Sequence, residues 1–383
     1  MRNIIFYVHR TGLLGYFVNP ICSFLKEKYQ ITILHLDKRN GYTSQGDESY
    51  NMIDLSDYSI ENIQKKIKEI NPQAIIFLGF ISIYELLMLR IATNLHFKTI
   101  YLEHGIYSKD TSSLPLNKII NNFGVTLKKN LFFLSQYHKF ISTSSNPKFE
   151  KLVFRECILK KDYKNSKFSK SLFFSDYGYK QIDKLFHFDI KNIDFVCYPL
   201  TYSNKEFDEL KMLSKIPLSE NRKAILIHQP FILDGLVNWS YEDEKKYFLG
   251  IAEKVKRFGY NLTLLIHPRE NIERYRNIYK NDNVEIKQNI NKTDYKEYSL
   301  VIGHYSTALL YPIFLHIPIL IIDYGKKIKS ESSTFYPLSV DLPISNFSKM
   351  NQSYDKFCEE YIGKSKCSFE NVASILDKNI TLL

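Results

Sequence analysis

Residues 261–268 read NLTLLIHP, a strand-length apolar run that ends in His267 and is stopped by Pro268. An imidazole at the end of a buried strand is either packed into the core or turned toward a ligand. Pro268 has no N–H and forces the chain to turn, which aims the imidazole out of the sheet. The neighbours of this run settle the fold class. Before it, EDEKKYFLGIAEKVKRFG (242–259) has helical periodicity and is closed by Gly259. AILIHQPF (224–231) is a strand before that helix. After it come the helix NIERYRNIYK, the strand VEIKQN, the short helix TDYKEYS, the strand LVIGHYS, the helix TALLYPIFLHI and the strand PILIIDY. Apolar strands alternating with helices predict a parallel sheet covered on both faces.

The same rhythm fills the first part of the chain. NIIFYV (3–8) is a strand, HRTGLLG a glycine-containing loop and YFVNPICSFLKEKY a helix. ITILHLD is a second strand, and SIENIQKKIKEIN an amphipathic helix capped by Ser59. QAIIFLGF, SIYELLMLRIATNL and KTIYLEHG continue as strand, helix and strand. The alternation blurs from about residue 115 to 175, where PLNKIINNFGVTLKKNLFFLSQYHKF is basic, apolar and helical in pattern. It returns with KSLFFS, DYGYKQIDKLFHF and IDFVCYP. The polar helical stretch 201–223 is a connector, and YDKFCEEYIG and FENVASILDKNI close the chain as helices. We therefore expect an N-terminal α/β domain over 1–205, a C-terminal α/β domain over 220–350 and C-terminal helices over 351–383.

Composition narrows the function classes. The 383 residues exceed one ordinary core, and 44% hydrophobic with 24% charged residues is a globular balance. The net charge of +11 seeks an anionic partner. Lys151, Arg155, Lys160, Lys161, Lys164, Lys167 and Lys170 crowd residues 151–170, either as a solvated face or as a contact for an anionic membrane surface. No aromatic–basic module of an RNA-binding kind is present, so nucleic acid is not expected. The five cysteines are scattered and form neither a disulfide framework nor a zinc motif. The first residues carry too short an apolar run for a signal peptide, and about 18 consecutive apolar residues occur nowhere. The expectation is a cytoplasmic protein, peripheral at most on the inner face of the plasma membrane.

Three strand ends carry reactive groups, and in parallel sheets ligands bind outside the carboxyl ends of the strands. They are LEHG (Glu103, His104, Gly105), IHP (His267, Pro268) and GHYST (His304, Ser306, Thr307). Ser306 and Thr307 stand where a helix begins, so free N–H groups, the helix dipole and two hydroxyls make an anion site there. A phosphate nearby would favour protonated His267, suited to a departing phosphate. Glu103 or His104 can take a proton from an acceptor hydroxyl, and Gly105 is expected to let the chain turn sharply behind them. His228, at the end of AILIH, and Gly12, in the first loop, complete the candidate substrate and nucleotide contacts. D-x-D, P-loop, G-x-G-x-x-G and H-E-x-x-H patterns are all missing, which favours a site without metal.

Two α/β sheets in series, with these strand ends, suggest GT-B: two Rossmann-like domains facing each other across a cleft. An acid before a glycine, a His-Pro roughly 160 residues later and a Ser/Thr pair about 40 further on resemble the bacterial sialyltransferases and polysialyltransferases of that fold. The arrangement is similar, more distantly, to the CDP-glycerol glycerophosphotransferases, with their His-Gly, His-Pro and Ser/Thr elements; CYPL (197–200) faintly echoes a further motif of theirs. The resemblance implies a metal-independent glycosyltransferase without cofactor. It would move a sialic-acid-like sugar from a CMP-activated donor to a glycan or glycolipid acceptor of a capsule or lipooligosaccharide. Glu103 is then the base, with His267, Ser306 and Thr307 on the donor phosphate. His104 stands where the sialyltransferase pattern has a second acid; read as His-Gly, it is the base of a CDP-polyol phosphotransferase instead. A nucleotide-sugar 2-epimerase and a non-catalytic glycan- or nucleotide-binding protein are the remaining readings.

Overall fold

The computed structural model describes residues 1–8, 11–38, 49–80, 83–105, 167–186, 188–218, 220–233, 239–304, 307–321, 363 and 366–382. The chain divides into two units, Met1–Asn204 with Ser365–Leu383, and Lys205–Lys364. Apart from Lys167 and Lys170, the basic run at 151–170 lies outside the described residues, as does the helical pattern at 115–140.

The first unit is built on a seven-stranded sheet. Its strands are β1 (Arg2–Tyr7), β2 (Tyr29–His35), β3 (Asn51–Asp54), β4 (Ala74–Phe77), β5 (Lys98–Leu102), β6 (Lys170–Phe173) and β7 (Ile193–Phe195). The order is β3-β2-β1-β4-β5-β6-β7, and every neighbouring pair is parallel. This is the Rossmann order, with its reversal between β1 and β4. The central strands carry no polar side: Ile4, Ile5, Phe6 and Tyr7 are all buried. Alternate residues feed two cores. Ile5, Tyr7, Ile75, Phe77 and Tyr101 pack on one face of the sheet, and Ile4, Phe6, Ile76, Ile100 and Leu102 on the other.

Local chemistry explains where the helices start. Ser59 accepts a hydrogen bond from the Asn62 N–H and opens Ile60–Ile70, whose Ile60, Ile63 and Ile67 face the core. Asn71, at φ 49°, ends it in the left-handed conformation. The single helix expected over 16–29 is broken up: a 3-10 turn (Thr11–Leu13) and a π turn (Leu14–Val18) precede the α-helix Asn19–Leu25. Pro20 sits in the first turn of that helix and cannot donate backward, so the regular ladder begins there. The short strand β3 escaped the sequence reading because only four half-exposed residues form it, at the sheet edge.

The last helix, Phe369–Leu382, belongs to the first unit rather than to a separate segment. Val372, Ala373, Leu376 and Ile380 join the core beside Ile21 and Leu25. Asp377 accepts from Lys28 Nζ at 2.6 Å and from the Tyr29 hydroxyl at 2.7 Å, and Gln73 Nε2 donates to the Ile380 carbonyl at 3.2 Å.

The second unit holds a five-stranded parallel sheet of β8 (Lys223–Ile227), β9 (Asn261–Leu265), β10 (Glu285–Lys287), β11 (Leu300–Gly303) and β12 (Ile319–Ile321), ordered β10-β9-β8-β11-β12. Helix Tyr241–Arg257 covers one face, and its Phe248 and Val255 pack with Leu226, Leu264 and Ile302. Ser240 and Asp243 cap its start reciprocally, at 3.1 and 3.0 Å. Gly259 ends it at φ 83°.

Gly259→Ala is expected to destabilise the protein by about 1 kcal/mol, because an L-residue is strained in that conformation. A Cβ there would meet the Arg222 guanidinium at 2.6 Å, a flexible group that can step aside. The urea denaturation midpoint checks it.

Candidate active site

The sheet registers bring three histidines to one edge of the second unit. Ile227 pairs with both Leu265 and Gly303, so His228 and His304 leave adjacent strands at the same level. His267 follows two residues beyond Leu265 on the other side of His228. Strand alternation then separates them. His228 and His304 continue the face of Leu226 and Ile302 and are enclosed beneath helix Tyr241–Arg257, at 1% and 0% exposure. His267 is half-buried at the rim.

His228 and His304 were expected to contact a nucleotide, but both are committed to internal partners. His304 Nε2 lies 2.8 Å from the Tyr247 hydroxyl, and Phe231 packs edge-on against its ring at 4.7 Å. Burial pushes its pKa down to about 3, so it stays neutral. His228 Nε2 lies 3.2 Å from Glu244 Oε1 and 3.3 Å from the Tyr275 hydroxyl. Tyr275 in turn donates to Glu244 Oε2 at 2.7 Å. Burial and the Glu244 charge raise the Tyr275 pKa, so its proton stays in place.

His267 is held by its own turn. Its Nδ1 accepts from the Arg269 N–H at 3.2 Å. A backbone N–H only donates, so Nδ1 carries the lone pair and Nε2 the proton. The sequence argument favoured an imidazolium; a proton on Nδ1 would face the Arg269 N–H, and the geometry instead selects a neutral Nε2–H donor. The His267 carbonyl accepts from the Glu270 N–H at 2.9 Å and from Gln288 Nε2 at 3.3 Å. Gln288 also reaches the Glu270 carbonyl at 2.8 Å, which locks the turn around exposed Pro268.

Of the GHYST segment, Ser306 and the Thr307 side chain lie outside the described residues. Thr307 opens a 3-10 turn, Thr307–Leu309, rather than a regular helix. Gly303 is required by packing: a Cβ there would come within 2.8 Å of Leu309 Cδ2.

In the first unit, Glu103 and His104 differ sharply. The Glu103 N–H bonds to the Leu172 carbonyl at 3.0 Å, extending β5 by one residue. Its side chain is 1% exposed, accepts from the Phe174 N–H at 2.6 Å and lies against Gly178, where a Cβ would stand 2.5 Å from Oε1. Burial raises its pKa to about 8 despite the opposing Phe174 bond, so the carboxyl is protonated at neutral pH. His104 is half-buried. Its Nδ1 bonds to the Leu78 carbonyl, which only accepts, so Nδ1 is protonated and Nε2 carries the lone pair. Burial holds its pKa below the ordinary histidine value, and Phe17 packs edge-on at 6.4 Å. Leu78 follows β4 and Phe17 follows β1, so His104 stands by the point where strand order reverses.

The turn at Gly105 does not need a glycine. Gly105 lacks a left-handed φ, and a Cβ at Gly105 or Gly12 would meet nothing within 4 Å. What holds the Gly12 turn is Asp37, which the sequence reading passed over. Asp37 is buried just past β2 and accepts from the Thr11 N–H at 2.9 Å and from the Thr11 hydroxyl. Among the described residues, no three His, Cys, Asp or Glu side chains form a set that could hold a metal ion, and no helix is long and apolar enough to cross a membrane.

No protein-family model matches the chain, and no curated sequence matches it. Solved structures do. The glycotransferase of kitacinnamycin is similar over 98% of both chains at 11% identity, with a TM-score of 0.51. The wall teichoic acid polymerase TagF is similar over 100% of this chain and 89% of its own at 12% identity, with a TM-score of 0.50. The UDP-GlcNAc 2-epimerase of Methanocaldococcus jannaschii aligns over 99% of this chain and 100% of its own at 12% identity, with a TM-score of 0.48. The likeness is one of fold: the two parallel Rossmann-like sheets are those of GT-B proteins.

The Glu103 carboxyl makes stability pH-dependent. Its folded pKa of about 8 lies above the ordinary 4.5, so the folded state holds a proton that the unfolded chain releases. Its contribution is full below pH 4.5 and is lost as pH rises toward 8. Glu103→Gln, neutral at every pH, is expected to flatten that decline, with a gain on the order of a few kcal/mol relative to wild type near pH 8. Chemical denaturation at a series of pH values checks it.

Proposed function

We propose that this chain is a transferase that releases CMP from a cytidine-nucleotide donor, with His104 as base and His267 as hydrogen-bond donor to the departing phosphate. The observation that carries the reading is the pair of fixed tautomers: a lone pair on His104 Nε2 and a proton on His267 Nε2. His104 Nε2 takes the proton of an acceptor hydroxyl as its oxygen attacks the donor. The bond to the bridging oxygen of the nucleotide breaks, and the electron pair leaves with CMP. A phosphate monoester has a second pKa near ~6, so CMP departs as a dianion at neutral pH and needs a hydrogen bond more than a proton. A neutral Nε2–H serves that role.

The choice of base bears on the group transferred. Glu103 is enclosed and protonated, whereas His104 is half-exposed and neutral. This favours the His-Gly reading, and so a polyol phosphate delivered from a CDP-linked donor, over a sialic-acid-like sugar from a CMP-linked one. A fold shared with a glycotransferase and with a teichoic acid polymerase supports group transfer as the reaction class. We further propose that the reaction needs no metal and that the acceptor is an anionic surface glycan or glycolipid. The net charge of +11 and the basic run at 151–170 would draw that acceptor, or the inner membrane face, to the protein.

A thermal-shift panel of CMP, CDP, UMP, UDP and GDP tests the donor class. Cytidine nucleotides at a hundredfold excess over Kd are expected to stabilise the protein by ~2.7 kcal/mol; stabilisation by uridine or guanosine nucleotides alone refutes it. His104→Ala is expected to lower turnover by ~10²–10⁴ and His267→Ala by ~10²–10³, while Glu103→Gln stays active with a CDP-polyol donor. Loss with Glu103→Gln and retention with His104→Ala would instead assign Glu103 as base and a sugar as the group moved.

A further inference from the structure

Resting on the reading of His267 as the leaving-group donor, we propose that Glu244 and His228 form a buried relay that positions the His267 main chain. Every bond around His228 demands one protonation state. Its Nδ1 lies 3.4 Å from the His267 N–H, which can only donate, so Nδ1 must be unprotonated. Its Nε2 faces Glu244 Oε1 and the oxygen of Tyr275. The carboxylate accepts, and the Tyr275 proton is committed to Glu244 Oε2, so both neighbours accept and Nε2 must carry the proton. His228 is therefore neutral, protonated on Nε2 and turned by Glu244 so that its lone pair meets the strand end two residues past β9.

The consequence falls on His267. Its N–H is held by His228, its carbonyl by the Glu270 N–H and Gln288, and its ring by the Arg269 N–H. Only the first of these tethers ties the residue to the interior layer beneath helix Tyr241–Arg257. If Glu244 is lost, the Tyr275 hydroxyl loses its acceptor and can donate to His228 Nε2 instead, in competition with the His267 N–H at Nδ1, and an Nδ1–H would push against the His267 N–H. Glu244 and His228 are thus positioning residues. They are 1% exposed each and act on the ligand only through His267.

The test is a long-range ¹H–¹⁵N spectrum of the full-length protein with labelled histidine, assigned by single substitutions, together with hydrogen exchange of the His267 amide. Wild type is expected to show His228 as the neutral Nε2–H tautomer and a protected His267 amide. Glu244→Leu is expected to mix the His228 tautomers, speed exchange at His267 and lower kcat with a cytidine donor about tenfold, the lower end of what losing a histidine-orienting partner costs, with the donor KM nearly unchanged. Tyr275→Phe, which leaves the Glu244–His228 bond in place, is expected to move neither signal. The relay is overturned by a wild-type His228 protonated on Nδ1, by a folded Glu244→Leu protein with both signals and kcat unmoved, or by Tyr275→Phe moving both signals. Should Glu244→Leu fail to fold, the wild-type and Tyr275→Phe spectra still decide. The spectra need no substrate, so the relay and the donor assignment fail separately.

Discussion

Parallel pairing, which joins every neighbouring pair of described strands, constrains the rest of the described structure. A parallel strand is covered on both faces, so its interior is mostly apolar; small hydroxyls such as Thr32 and Thr263 are tolerated inside it, and larger buried polar groups gather where the ladder stops. Ile4 to Tyr7, Ala74 to Phe77 and Ala224 to Ile227 obey this, with every side chain buried. Glu103, His228, His267 and His304 all follow within two residues of a strand's last member. The carboxyl ends of the two sheets thus become the places where chemistry can sit, and also the places where low dielectric makes each polar group answerable to its neighbours.

Burial then sorts these groups into roles. A histidine at a strand end has two faces to choose from, and one residue of register decides between them. His228 and His304 fall on the helix-covered face and become struts; His267, one position off in parity, reaches the rim. At His267 and His104 a hydrogen bond from or to the main chain fixes the tautomer without any charged partner. Arg269 N–H makes His267 a donor at Nε2, and the Leu78 carbonyl makes His104 an acceptor there. The same imidazole is thus set as a donor at Nε2 in one unit and as an acceptor at Nε2 in the other, by whether a backbone N–H or C=O meets Nδ1.

Much of the fold was legible because parallel strands write themselves as apolar runs. The strand–helix alternation, the Ser59 cap and the Gly259 stop could all be read directly. The four-residue β3 could not, because an edge strand with half-exposed residues has no apolar signature. The return of Phe369–Leu382 to the first unit was also hidden, since the pairings of Asp377 with Lys28 and Tyr29 span almost the whole chain. At the site, His267 was legible from its proline, but side-chain direction was not, and the burial of His228 and His304 against internal partners could not be read from the sequence. Glu244 did leave a trace. It shares the stripe of Phe248, Ile251 and Val255 on its helix, and a carboxylate on an apolar stripe demands buried donors.

The two buried glutamates, Glu103 and Glu244, show how donor count decides what a carboxyl can do. Glu103 has one donor, the Phe174 N–H, which does not offset its desolvation, and it keeps its proton to about pH 8. Glu244 has two donors on its two oxygens, His228 Nε2–H and the Tyr275 hydroxyl. A buried carboxylate with both oxygens served can act as a fixed acceptor and orient the groups around it. A protonated carboxyl wedged against Gly178 does neither; it fills space at the end of β5 and bonds the strand beside it. Neighbouring residues in the sequence, Glu103 and His104, are therefore set differently. The acid closes the carboxyl end of β5, and the imidazole beside it, half-buried and protonated on the inner nitrogen, carries the Nε2 lone pair on which the proposed base role rests.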